Sequence, residues 1–582
     1  MSYRTPGVYV EEISKLPASV AQSETAIPVF IGYTEKSEDT EGNSLENKAR
    51  KIESMMDFEI LYGGPKTQSF KVTINAAEPY LPETVDFENK ENPFRMHHAL
   101  NLFYANGGGP CFIVSVGAYM NNEVPKEPDY SELKNGLDII LKNDEITLVV
   151  IPEASLIDES DQYELYKDIL MHCNEMENRF GIFDVRQEDH DADNFRNGVG
   201  TSFLNYGAAY YPHLNTTISH PYNKKNVFFS NSNFADYSWD DLEVMASVTE
   251  LKKQLEKAKE KVEKAEGEID SANQEEKKTL LKTGKEETKK AIGFAGKALD
   301  LANANEISVE ETEAKLNEID LKYDDLKVAE ITDAFDVLKK AIDKAEIVIK
   351  DTAKTIHENS ESNLNYDDID FTYFNNNFTS KLTKLLDEQR ITMPPSPAIA
   401  GVYARVDTNR GVWKSPANVS LNRITAPAVK LTISENDRLN VDSSGKSINA
   451  IRSFTGKGTL VWGARTLDGG SNEWRYISVR RFFNMVEDSV KNASARYVFE
   501  ANDANTWIKV KSMIENFLTR QWRSGALMGA KPEDAFYVQI GLGKTMTQED
   551  VLEGKMIIEI GMAVVRPAEF IVLRFSHKMM EL

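Results

Sequence analysis

The sequence predicts a multidomain α/β protein: an α/β core, a long-helix domain of coiled-coil or three-helix type inserted into it, and a C-terminal α/β domain. Three observations predict it. Before residue 240, uninterrupted apolar runs of strand length alternate with helical stretches, the pattern of layered strands buried on both faces. Between Asp240 and His357 prolines vanish, and 21 basic and 29 acidic residues alternate with small and aliphatic ones. After 360 the α/β texture returns and continues to the end of the chain.

Residues 1–25 read as an arm. Thr5-Pro6-Gly7 is a turn, and Val8–Ile13 is a strand-like run with no partner adjacent in sequence. The first part of the core, 26–239, opens with a strand at Pro28–Tyr33 and passes through a polar, variable stretch at 36–90. A helix over His97–Tyr104 follows, then strands at Cys111–Val116 and Thr147–Ile151. A helix over 160–179 and a strand at Phe180–Val185 complete the pattern.

The insertion, 240–360, carries apolar residues at steps of three and four. Leu242, Met245, Val248, Leu251, Leu255, Ala258, Val262, Ala265 and Ile269 form one stripe, and Leu281, Thr288, Ala291, Ala295, Ala298 and Ala302 a second. A third runs from Leu316 through Leu338 and Ile342 to Ala353, so three long helices are expected. Ser238 with Asp241, and Ser308 with Glu311, fit helix-starting capping boxes. The stretch reads as a spacer or surface decoration, with a binding device as the alternative.

The second part of the core, 361–465, holds the Pro394-Pro395-Ser396-Pro397 loop and a helix over Ala398–Asn409. The C-terminal domain, 466–565, has helices at Arg475–Asn492 and Asn505–Arg523 and strands at Phe536–Leu542 and Met556–Val565. A last strand, Glu569–Phe575, lies in a terminal segment, 566–582.

Composition limits the function. The net charge of −24 is unsuited to general nucleic-acid binding, which requires neutralising phosphates. The charge is uneven: from Lys446 onward the net is +4, against −28 for the rest, which suggests one region facing an acidic partner. Two cysteines, Cys111 and Cys173, exclude a disulfide framework and a four-cysteine zinc site, and read as buried free thiols. No apolar run reaches bilayer-spanning length, and the start lacks the pattern of a secretory signal, so folding in the cytoplasm and no direct membrane insertion are expected.

The chemical motifs fail one by one. Gly541-Leu-Gly543-Lys544-Thr545 resembles the end of a phosphate loop, but the glycine required five positions before Gly543 is Val538. Asp189, Asp191 and Asp193 alternate as in a calcium loop, yet the required glycine is Asn194 and the closing glutamate is Gly200. His97 and His98 are adjacent and diverge on a helix. No G-x-S-x-G elbow is present. No catalytic residue, cofactor or metal is expected. An α/β enzyme and a coiled-coil adhesin are the rival classes; the first lacks its motifs, and the second leaves the α/β blocks on both sides unexplained.

Ordered segments resemble the contractile tail sheath family. They include YRTPGVYVEEI with AIPVFIGYTEK, NLFYANGGGPCFIVSV, and PPSPAIAGVYARVDTNRGVWKSPANVSLN. They continue with SINAIRSF, LVWGARTL, EWRYISVRRFF, FLTRQWRSGALMG and TMTQEDVLEGKMIIEIGMAVVRPAEFIVLRF. The resemblance covers most of the chain outside 36–90 and 240–360. Two departures are the Gly-Leu-Gly-Lys before Thr545 and Lys446-Ser447 before Ile448. The resemblance implies a virion-type structural subunit and a homo-oligomer, stacked as hexameric rings in a helical sheath around an inner tube protein. It implies baseplate and tail-terminator partners, assembly in the producing cell, and a contraction that needs no nucleotide site. A phage tail and a tail-like injection system, released or cell-associated, remain open.

The resemblance also implies strand exchange between subunits through the two chain ends. The residues expected to carry it are Val8, Tyr9 and Val10 at one end and Phe570, Ile571, Val572, Leu573 and Phe575 at the other. Alternation puts Ile571, Leu573 and Phe575 on one face and Phe570 and Val572 on the other, so this strand is apolar on both faces. An edge strand within the same chain is the alternative. On Asn505–Arg523, helical geometry opposes an apolar face (Val510, Met513, Ile514, Phe517) to a stripe of Lys509, Ser512, Asn516, Arg520 and Arg523. That stripe is either the tube-facing surface that the family would place on such a helix or an ordinary solvated face.

Overall fold

The computed structural model describes residues 20–75, 81–88, 91, 93–121, 124–229, 237–304, 315, 331–359 and 371–574. It divides into two compact units. The first comprises 1–65, 93–218 and 391–582, and the second 66–92 and 219–390.

The first unit is built on a nine-stranded sheet. In chain order its elements are β1 (Pro28–Thr34), β2 (Ala49–Ile52), α1 (Met96–Ala105), β3 (Cys111–Ala118), α2 (Tyr130–Ile139) and β4 (Leu148–Val150). They continue with α3 (Glu159–Met176), β5 (Phe180–Asp184), β6 (Gly207–Tyr211) and α4 (Ser396–Arg410), then β7 (Val419–Ser420), β8 (Ile448–Phe454) and β9 (Gly458–Val461). The spatial order is β7-β9-β8-β6-β5-β4-β1-β3-β2. The six central strands, from β8 to β3, run parallel, while β2, β9 and β7 join antiparallel at the edges. From β1 the chain crosses to β3 on one side and then returns to β4 on the other, so the winding reverses between β1 and β4. This is a doubly wound sheet.

Strand alternation explains why the sequence shows continuous apolar runs. Val29, Ile31 and Tyr33 of β1 face one core with Val149 of β4 and Phe183 of β5. Phe30, Val150 and Ile182 face the opposite core with Met96, Ala99, Ile399 and Tyr403 of α1 and α4. Each fully buried aliphatic side chain contributes about 1.5–3 kcal/mol relative to exposure. Cys111 belongs to one core and Cys173 to the other, both as free buried thiols, so the sheet lies between them.

Beyond the sheet, α5 (Ile477–Ser494) and α6 (Ala504–Arg523) pack with the two-stranded ribbon of β10 (Phe536–Gln539) and β11 (Glu559–Met562). The expected strand Phe536–Leu542 stops at Gln539, because the chain turns tightly at Gly541. The expected strand Met556–Val565 is ordered as strand only over Glu559–Met562, the length that pairs with β10.

In the second unit, strands Val227–Phe229, Phe70–Ile74 and Pro82–Phe87 form a small sheet. Helices Trp239–Gly267, Gln274–Ala304 and Ile331–Asn359 share one core with it and with helix Asn376–Glu388. The expected insertion at 240–360 thus falls within a unit that also takes in Lys66–Asn92 and the flanks 219–239 and 361–390. The first two stripes are buried along their whole length. Ser238 and Asp241 close the expected capping box on the first helix. Lys259 links that helix to Asp343 and Glu346 of the third, at 2.8 and 2.9 Å. Ser308 and Leu316 lie outside the described residues.

Candidate assembly interface

At the C-terminal exit, the chain leaves β11 through Ala563–Val565, which is held by backbone bonds to Ala526, Met528 and Ala535. Four residues on, the Glu569 carboxylate is clamped. Arg465 donates from Nε to Oε1 at 3.0 Å and from Nη2 to Oε2 at 2.6 Å, the bidentate arrangement in which guanidinium and carboxylate match. Asn440 Nδ2 adds a bond to Oε1 at 3.1 Å, and the Tyr476 hydroxyl one to Oε2 at 3.4 Å. Burial alone would raise the Glu569 carboxyl, but the bonds from Arg465 and Asn440 and the guanidinium charge outweigh it and hold the group below the usual glutamate range.

Directly beyond this clamp, Phe570, Ile571, Val572 and Leu573 are 71–81% exposed. The expected strand Glu569–Phe575 is not formed over its described residues, and no strand among the described residues pairs with it. Phe575 lies outside the described residues. Four consecutive exposed apolar side chains are uncommon on a protein surface, which makes this stretch a candidate contact site.

The N-terminal exit is built in the same way. Val20 is buried against α5 and α6. Arg520 Nη2 donates to the Val20 carbonyl at 2.8 Å, Gln521 Nε2 to Gln22 Oε1 at 3.2 Å, and the Ser23 amide to Ser489 Oγ at 2.9 Å. Arg481 completes the anchorage. Its Nη2 donates to the Thr25 carbonyl at 2.8 Å, while its two terminal nitrogens hold Asp407 of α4 at 3.0 and 2.5 Å. The Thr25 hydroxyl donates to the same Asp407 at 2.7 Å. Val8, Tyr9 and Val10 lie outside the described residues.

On α6, Val510, Met513, Ile514, Phe517 and Gln521 are buried, whereas Lys509, Ser512, Asn516, Arg520 and Arg523 are exposed. Lys509, Asn516 and Arg523 present their side chains outward, whereas the Arg520 guanidinium is committed to the arm root at Val20.

The motifs weighed for chemistry are used structurally. Around Gly541-Leu-Gly-Lys-Thr, the amides of Lys544, Thr545 and Met546 point back to the Gly541 carbonyl, and Thr545 Oγ1 donates to Ile557, so those donors close a turn. Asp189 Oδ2 accepts the Phe195 amide at 2.9 Å, Asp191 faces Arg438 at 3.2 Å, and Asp193 faces Arg196 at 3.3 Å. His97 Nε2 meets Glu59 at 3.1 Å. Among the described residues no His, Cys, Asp and Glu cluster is arranged to hold a metal ion.

The anchoring residues Arg465, Glu569, Arg481 and Asp407 were not singled out from the sequence. All four lie inside blocks that carry the family resemblance, which was the signal available.

Comparison with known proteins identifies the family. Residues 267–467 match the family model of the phage tail sheath protein central domain, and 470–578 that of the phage tail sheath C-terminal domain, together just over half of the chain. The chain is 30% identical over 146 residues to the tail sheath protein of Vibrio phage KVP40, covering 25% of this chain and 21% of that one. It is 31% identical over 118 residues to the tail sheath protein of Enterobacteria phage T4, covering 20% and 17%. The matched segment thus spans about a fifth of the length of these relatives. Among solved structures, the anti-feeding prophage helical sheath in its contracted state has 25% identity and a TM-score of 0.53, with 99% of this chain and 100% of that chain covered. The sheath complex of the PVC extracellular contractile injection system, also contracted, has 24% identity and a TM-score of 0.52, with 99% of each chain covered, and shares the fold. The chain belongs to the tail sheath family.

Proposed function

We propose that this chain is the non-enzymatic structural subunit of the contractile sheath of a phage tail-like injection system. It polymerises as stacked hexameric rings around an inner tube in a metastable extended state, and contraction drives the tube through a target envelope. The observation that carries this reading is the likeness to the anti-feeding prophage sheath along the whole length of both chains. Baseplate and tail-terminator proteins complete the particle, which assembles in the cytoplasm of the producing cell. Among the described residues no helix is long and apolar enough to cross a membrane.

The two exits support a division of labour. Val8, Tyr9 and Val10 at one end and Phe570–Leu573 and Phe575 at the other add strands to sheets of neighbouring subunits, where main-chain bonds give affinity and alternate side chains give specificity. The β10–β11 ribbon, only two strands wide, suits such addition. The outer face of α6, with Lys509, Asn516 and Arg523, faces the tube and releases it during contraction, since exposed ion pairs are individually weak; Arg520, expected on the same face, holds Val20 instead. The helical part of the second unit is a surface addition outside the contractile mechanism.

A second reading, the sheath of a true bacteriophage tail, is favoured by the curated phage relatives. Capsid and terminase genes beside this gene would select it. Electron microscopy of the chain co-expressed with its tube tests both readings against any non-sheath role: striated hollow cylinders of two lengths and diameters are expected, and their absence would remove the sheath assignment.

A further inference from the structure

Open α/β sheets hold their ligands beyond the C-terminal strand ends, where the winding reverses, with an anion at the N-terminus of the following helix. Here that place lies between the ends of β1 and β4, below the start of α1. It is filled from within. Glu153, three residues beyond β4, is completely buried, and its Oε1 accepts the backbone amides of both Arg95 and Met96 at 2.9 Å. These are the first backbone amides of α1, which lie too early in the helix to bond within it, and no side-chain cap of the helix's own serves them. Oε2 has no hydrogen-bond partner among the described residues. Gly32 of β1 makes the room: a Cβ there would come within 2.2 Å of Oε2 and 2.9 Å of the Met96 methyl.

We infer that this crevice is a carboxyl-binding site closed by the chain's own Glu153, and that emptying it leaves a cradle for a small monocarboxylate such as formate or acetate. The class follows from the shape. Both amides converge on one oxygen, and Glu153→Ala removes a methylene and a carboxylate, a volume the size of acetate and too small for a nucleotide. The neighbouring helix repeats the device: the Ser396 amide and hydroxyl at the start of α4 donate to Asp184, at the end of β5, at 2.7 and 2.5 Å. On that face of the sheet, two helix N-termini that could hold a ligand hold strand-end carboxylates instead, so this doubly wound core serves as scaffold.

The test compares thermal unfolding of the full chain, Glu153→Ala and Glu153→Gln in sodium formate and in equimolar sodium chloride. Glu153→Ala should unfold at a lower temperature than the native chain, and 100 mM formate should raise its midpoint by about 2 °C over chloride, as expected for a millimolar site. The native chain and Glu153→Gln, whose crevices stay filled, should show no difference between the two salts. A crystal structure or cryo-EM map of Glu153→Ala in formate should place the anion on the Arg95 and Met96 amides. If Glu153→Ala folds only with added anion, refolding yield replaces the midpoint, and formate must exceed chloride. Equal responses of Glu153→Ala to the two salts, or a formate response in the native chain, would overturn the inference.

Discussion

Arg465 holds Glu569 through two nitrogens, and the next residue, Phe570, begins the four-residue apolar segment presented to solvent. The clamp therefore fixes the point and direction at which the C-terminal arm leaves the body. A side chain in this position couples the stability of the chain to the course of the exposed segment that follows it.

Replacing Glu569 by Ala leaves the nearly buried Arg465 guanidinium without its carboxylate, so chemical denaturation should show a loss of about 2–3 kcal/mol. The arm root should become a site of limited proteolysis. A double-mutant cycle with Arg465→Ala should give strong coupling; additivity of the two losses would show that the pair does not act as a unit.

Asp407 and Arg481 form the more deeply buried pair, with side chains 6% and 3% exposed. Asp407→Ala should cost about 3–5 kcal/mol, because it strands the Arg481 charge. It also frees the Thr25 hydroxyl, so protease sensitivity near residues 20–25 should rise with it.

Burial pushes the carboxyls of Glu153 and Asp184 up to about 7, against hydrogen bonds that favour their charged forms. A raised carboxyl binds its proton more tightly in the folded state. Its stabilising contribution is therefore complete below the usual carboxylate range and lost as pH rises from about 4 to 7, on the order of 3–4 kcal/mol each. Glu153→Gln and Asp184→Asn should each flatten the fall in unfolding free energy over that window. Glu569, whose carboxyl is lowered, acts in the opposite sense: its contribution is present above the usual glutamate range and lost as pH falls through the lowered value.

Charge reversal on α6 should separate two roles. Lys509→Glu and Arg523→Glu should weaken co-sedimentation with tube in a salt-dependent way while leaving unfolding free energy within about 0.5 kcal/mol of native. Arg520→Glu should also destabilise the arm root, because its guanidinium holds Val20. Equal tube binding by all three variants would show that α6 faces solvent in the assembly.

Much of this architecture is legible in the sequence. The parallel strands announce themselves because burial on both faces makes them uninterrupted apolar runs, as at Val29–Ile31 and Val149–Ile151. The helical stripes of the second unit are equally plain, since a 3.6-residue period with alanines at 291, 295 and 298 has no other reading. What is hidden is long-range pairing. Phe70–Ile74 alternates buried and half-buried or exposed residues and joins Val227–Phe229 across more than half of the first part of the chain, so in the sequence it reads only as part of the polar, variable stretch at 36–90. Phe570–Leu573 has strand character but pairs with no strand among the described residues, and strand propensity cannot reveal where a partner lies. Arg465 and Glu569 are 104 residues apart, and nothing in local pattern pairs them. Glu153 and Asp184 are likewise unmarked in the sequence, because the helix amides that close over them come from Arg95, Met96 and Ser396, far along the chain.

The most direct test of the proposed linkage is electron microscopy of tube co-expressed with the full chain, with a chain lacking residues 1–19, or with one ending at Glu569. Both truncations keep the anchors Val20 and Glu569, so both should fold with near-native unfolding midpoints. The full chain should form long striated sheaths, and neither truncated chain should do so. Full-length sheaths from either truncated subunit would contradict the account.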